Sequence, residues 1–129
     1  MSTKFLPALF APLLLAGCAT PFVSTNLTPQ HQTRTTNNLY RVEVAVASNQ
    51  QSLRWQSIRP QIMVGNEFYK MTPTLLMSNR WEGLIPIPSN SNVVKYRYKF
   101  DFQYNAFGAP GHDSSLSSEY TLRVLEPQP

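Results

Sequence analysis

Residues 94–104 carry the strongest pattern in the chain: Val94, Tyr96, Tyr98, Phe100, Phe102 and Tyr104 alternate with Lys95, Arg97, Lys99, Asp101 and Gln103. A period of two predicts a long strand with one buried face and one wet face. Tyr40, Val42, Val44 and Val46 alternate in the same way with Arg41, Glu43, Ala45 and Ala47. Residues 53–58 read as a weaker strand that stops at Pro60. Ile62-Met63-Val64 and Glu67-Phe68-Tyr69 flank Gly65-Asn66, which predicts a hairpin with a type II′ turn, because glycine accepts positive φ at the first corner. Residues 74–77 read as a short strand. Trp81, Gly83, Ile85 and Ile87 share a parity interrupted by two prolines, which predicts a strand at a sheet edge. Residues 105–118 hold Gly108, Pro110 and Gly111 and read as a loop, and Tyr120, Leu122 and Val124 form a closing strand.

Seven or eight short strands at intervals of about 8 to 12 residues predict an all-β fold, a single antiparallel β-sandwich. The arrangement resembles the immunoglobulin-like domains of bacterial surface proteins, without the two-cysteine bridge of antibody domains. A transthyretin-like sandwich and a small barrel share the same pattern.

The region before these strands is different. Residues 19–37 are rich in Thr, Asn, Gln, Pro and Ser, with only Ala19, Phe22, Val23 and Leu27 apolar, and no period of two or 3.6. They read as a flexible tether, at most about 65 Å long when extended and about 25 Å as a coil. His31 reads as a solvated residue of that tether, because no second ligand stands at metal spacing. Residues 39–125 are therefore expected to fold alone.

Lys4 and the apolar residues 5–15 have the form of a secretory signal, too short for a bilayer span and broken by Pro7 and Pro12. The segment ends in Leu15-Ala16-Gly17-Cys18. This tetrapeptide resembles the lipobox of bacterial lipoproteins. The resemblance implies cleavage before Cys18 by signal peptidase II, a thioether-linked diacylglycerol on Cys18 and an acylated new amino terminus. Ala19, where Asp would imply retention at the inner membrane, implies the outer membrane. The expected organisation is a signal peptide at 1–17, lipidated Cys18 and tether at 18–38, and a sandwich domain at 39–126.

Composition narrows the function. A single cysteine among 129 residues leaves no internal disulfide and no Cys-cluster zinc site. A net charge of +4 from 11 basic and 7 acidic residues is too mild to imply nucleic-acid binding. No phosphate loop, HExxH, CxxC or nucleophile elbow occurs. His112-Asp113 is the nearest catalytic-looking pair, but neighbours on an extended segment point apart, and the pair reads as a polar turn. No enzyme activity, cofactor or metal is expected.

Two features are candidates for binding. Lys95, Arg97 and Lys99 form a row with about 6.6 Å between successive cations, suited to lipid phosphates, anionic glycans or an acidic partner. Trp55, Trp81, Tyr69 and Tyr120 are aromatics that would stack on sugars if exposed; Trp81 reads as core and Trp55 as ambiguous. The expected function is a small outer-membrane lipoprotein, attached to lipid through Cys18, acting as a non-catalytic structural or adaptor module with an envelope protein partner. The alternative is a surface carbohydrate-binding module. Lipid or lipopolysaccharide handling would need a cavity that so small a sandwich scarcely holds.

Overall fold

The alternating segments pair into ten strands in a computed structural model that describes residues 22–127: β1 (Val23–Asn26), β2 (His31–Thr33), β3 (Leu39–Ala47), β4 (Leu53–Val64), β5 (Glu67–Lys70), β6 (Thr72–Pro73), β7 (Arg80–Pro86), β8 (Val93–Tyr104), β9 (Gly111–Leu116) and β10 (Tyr120–Leu125). One sheet runs β1-β3-β7-β6, the other β2-β10-β8-β4-β5, with β9 on β8 beside β10. These are the A-B-E-D and G-F-C orders of an immunoglobulin sandwich, β5 taking the place of the additional strand of the variable type. The first strand is divided: β1 pairs antiparallel with β3, and β2 crosses to pair parallel with β10. The all-β, immunoglobulin-like sandwich is thus as the periodicity predicts, with ten strands in place of seven or eight and one parallel pair.

The two strongest alternations bury the expected faces. Tyr96, Tyr98, Phe100 and Phe102 from β8 meet Tyr40, Val42, Val44 and Val46 from β3 in the core, with Ile85 and Ile87 beside them. In β4 the buried parity changes, from Leu53 to Ile58, Pro60 and Ile62, because a bulge shifts the register on β8 between Arg54 and Arg59. Ser57 repairs the ladder there: its hydroxyl accepts from Gln103 N at 2.7 Å and donates to Arg54 O. Gly65 has φ of 59° and Asn66 is not left-handed, as a type II′ corner requires.

Five expectations on the strands need correction. The strand β7 is not at a sheet edge but lies between β3 and β6, because β6 pairs with its Trp81 and Glu82, ahead of the prolines. Residues 22–37 are not a loose tether. Phe22 is buried and stacks on Phe102 at 4.7 Å, and β1 and β2 each join a sheet. His31 accordingly lies in β2, exposed. Pro60 does not end its strand. Its carbonyl accepts from Met71 N at 3.4 Å, so its missing N–H faces the margin beyond β5 and the β8 ladder loses nothing. Residues 74–77 form a turn, not a strand, with Leu76 at φ 63°. Within 105–118 lies β9, a polar strand on the sheet margin whose Gly111 leaves room for the Tyr104 ring lying across it. The segments 1–21 and 128–129, including the expected signal peptide and Cys18, lie outside the described residues.

The crossing from β1 to β2 is fixed by buried hydroxyls. Tyr98 Oη donates to Asn26 Oδ1 at 2.6 Å and lies 2.9 Å from Glu43 O and 3.0 Å from Thr28 Oγ1. Asn26 Nδ2 donates to Tyr96 Oη at 2.9 Å, and Thr28 Oγ1 accepts from Glu43 N at 2.8 Å. Burial pushes the Tyr98 hydroxyl well above the ordinary phenol range, against the opposing effect of the Thr28 hydrogen bond. An unfolded chain ionises Tyr98 near pH 10 while the folded chain keeps its proton, so Tyr98 favours folding fully below about pH 10 and progressively less above it. Urea unfolding should show stability falling by up to about 1.4 kcal/mol per pH unit above pH 10 from this residue. The Tyr98→Phe variant should have a shallower fall. Equal slopes for the two proteins would contradict the assignment.

Candidate functional site

Pairing register brings the basic residues of four strands onto one surface. On the outer face of the six-stranded sheet, Arg97 lies opposite Met63 of β4, which pairs in turn with Phe68 of β5. Lys99 lies opposite Gln61, which pairs with Lys70. Asp101 lies opposite Arg59, Gln103 opposite Arg54, and Lys95 opposite Thr121 of β10, where Arg123 has the same parity. Arg54, Arg59, Lys70 and Arg123 thus join the row Lys95, Arg97 and Lys99, and seven of the chain's eleven basic residues share this face. Its carboxylates are Asp101, which reaches Lys99 Nζ at 3.7 Å, Glu119 at one margin, which reaches Arg97 Nη2 at 3.5 Å, and Asp113 at the β9 margin, which lines one depression with Arg59 and Asp101. Lys99 Nζ also stands 5.9 Å from the centre of the half-exposed Phe68 ring. Lys95 is exposed and makes no ion pair among the described residues.

The outer face of the other sheet is balanced. Arg41 pairs with Glu43 at 3.0 Å and with Glu82 at 2.8 Å, and Arg80 adds a second cation. The sandwich therefore has a neutral side and a basic side, and a side of net positive charge raises the local concentration of anions.

The three row residues that sequence singles out do lie together, with two of them partnered by carboxylates. Trp55 does not join them, because it packs against the core beside the β4 bulge. Trp81 is buried, and Tyr69 and Tyr120 are partly buried against the core. Arg54, Arg59, Lys70 and Arg123 were not legible as members of the site, since each belongs to a strand whose pairing partner the sequence does not state. His112 and Asp113 are consecutive on β9, and Asp113 Oδ1 accepts from Ser114 N at 2.8 Å, a local use of the carboxylate. Among the described residues no three His, Cys, Asp or Glu side chains converge as metal ligands, and no helix is long and apolar enough to cross a membrane.

No family model matches the chain, and no curated protein does. Among solved structures, murine CRIg superposes with a TM-score of 0.41 at 9% identity, over 82% of this chain and 99% of that one. A DUF4785 family protein from Legionella pneumophila subsp. pneumophila str. Philadelphia 1 superposes with a TM-score of 0.41 at 11% identity. It matches over 80% of this chain, which spans 28% of that longer protein. The fold assignment rests on the strand order itself.

Proposed function

We propose that the protein is a non-catalytic lipoprotein adaptor of the outer membrane, anchored through acylated Cys18, whose basic sheet face docks an acidic envelope protein. The observation that carries the docking surface is the charge asymmetry: seven cations and three carboxylates on or beside one face, against a balanced opposite face. Phe68, Met63 and Leu116 give that face apolar footing between the charges, the mixture of contact and steering that transient interfaces use. The anchor is supported by Leu15-Ala16-Gly17-Cys18 and the apolar segment before it. A sugar-binding module would present at least two exposed aromatics on one face. The packing of Trp55 and Trp81 against the core favours the adaptor instead.

Replacing Lys95, Arg97 and Lys99 together with Gln tests the surface. Crosslinking in native envelopes should recover less of the partner with the triple variant, and the wild-type yield should itself fall as salt rises from low to physiological strength, since exposed charges are screened beyond about 8 to 10 Å. Unfolding free energy should change by about 0.5 kcal/mol or less. Undiminished crosslinking by the triple variant at every salt concentration would contradict the docking surface.

A further inference from the structure

Leu75, Leu76 and Phe107 are 84%, 96% and 108% exposed, on two separate loops, more than any other large apolar side chain among the described residues. The two loops stand together at one end of the sandwich. Val46 N donates to Asn79 O at 3.0 Å, which ties loop 74–79 to the end of β3, and Asn105 N donates to Ser52 O at 2.8 Å, which ties loop 105–110 to the start of β4. The chain enters at this same end, where Val23 pairs with Ala47. Loops 48–52, 74–79 and 105–110 contain no charged residue. The opposite end is polar, closed by the Arg34–Glu126 ion pair at 2.9 Å. Leu76 holds a left-handed backbone, φ 63°, that bulky side chains rarely adopt, so its outward display costs backbone strain that packing does not return.

We propose that this end of the domain seats in the membrane interface, with the side chains of Leu75, Leu76 and Phe107 among the lipid headgroups and upper acyl chains. The proposal rests on the lipid anchor at Cys18. Because Phe22 is already part of the core, only residues 19–21 separate the anchor from the folded domain. Four residue steps reach at most about 14 Å, against about 40 Å for the length of β8. An acylated Cys18 therefore holds this end, and not the polar one, against the headgroups. Apolar side chains so held enter the interface by about 5 to 10 Å, as those of amphipathic surface helices do. The basic face then stands as a side wall, turned away from lipid and free for a protein partner.

The test uses full-length protein purified from envelopes and reconstituted in phosphatidylethanolamine–phosphatidylglycerol vesicles, with and without nitroxide-labelled lipid. Leu76→Cys, Phe107→Cys and, as a side-wall control, Leu84→Cys variants are labelled with bimane, and the amino-terminal mass of each preparation reports acylation. The expected result is blue-shifted emission at positions 76 and 107 that is mostly lost with nitroxide lipid, and unquenched emission at 84. Unquenched emission at 76 and 107 in an acylated preparation overturns the proposal and leaves the anchor standing. Blue-shifted but unquenched emission seats the loops on a second copy or another protein, and also overturns it. A preparation whose Cys18 carries no acyl mass also takes the label at residue 18, and it overturns the anchor on which the proposal rests.

Discussion

Deleting residues 22–37 should leave a chain that no longer unfolds cooperatively. The deletion removes Phe22 from its stack on Phe102 and its contact with Phe100 at 5.2 Å, a loss of the size of a buried Phe truncation, about 3 to 5 kcal/mol. It strips Tyr98 and Tyr96 of Asn26 and Thr28, and each buried hydroxyl left short of a partner costs about 1 to 3 kcal/mol. It also bares the edges of β3 and β10 to which β1 and β2 bond. These losses together rival the whole stability of an ordinary domain, about 5 to 15 kcal/mol. Near-ultraviolet circular dichroism against temperature should show a sigmoidal transition for the intact chain and none for the deletion. A deletion that kept a sharp transition within about 2 kcal/mol of the parent would mean that residues 22–37 are a tether after all.

Phe100→Ala should destabilise the fold by about 3 to 5 kcal/mol. Phe100 is fully buried at the middle of β8, with Phe22 at 5.2 Å and Tyr98 at 6.2 Å, so no neighbouring segment is free to collapse into the gap. Lys95→Ala, on the opposite parity of the same strand, should change stability by about 0.5 kcal/mol or less. Urea titration of the two variants checks the pair. A Phe100 cost near that of Lys95 would contradict the assignment of the buried face.

What the residues made legible, and what they hid, follows from how each strand is held. The strands β3 and β8 were readable because both use one face for the core, and burial writes a period of two into the sequence. The strands β1, β2 and β9 were not, because backbone pairing at a sheet margin asks little of the side chains. Asn26 and Thr28 look like linker residues until Tyr96 and Tyr98 need partners in the core. The β4 bulge reverses parity in mid-strand, which made Trp55 ambiguous and hid the continuation through Pro60. Of the basic face, the row within β8 was legible as a periodicity. The remaining four cations needed the strand order, which is a property of the whole fold.

The proposed membrane-anchored adaptor depends first on Cys18, and the intact mass of the mature protein extracted from envelopes tests it most directly. The account predicts a chain that starts at residue 18, carries a diacylglycerol and an amide-linked acyl chain, and partitions with the outer membrane. The Cys18→Ser protein should stay uncut and take up no labelled fatty acid. A mature chain that starts at another residue, or starts at Cys18 without acyl mass, would contradict it.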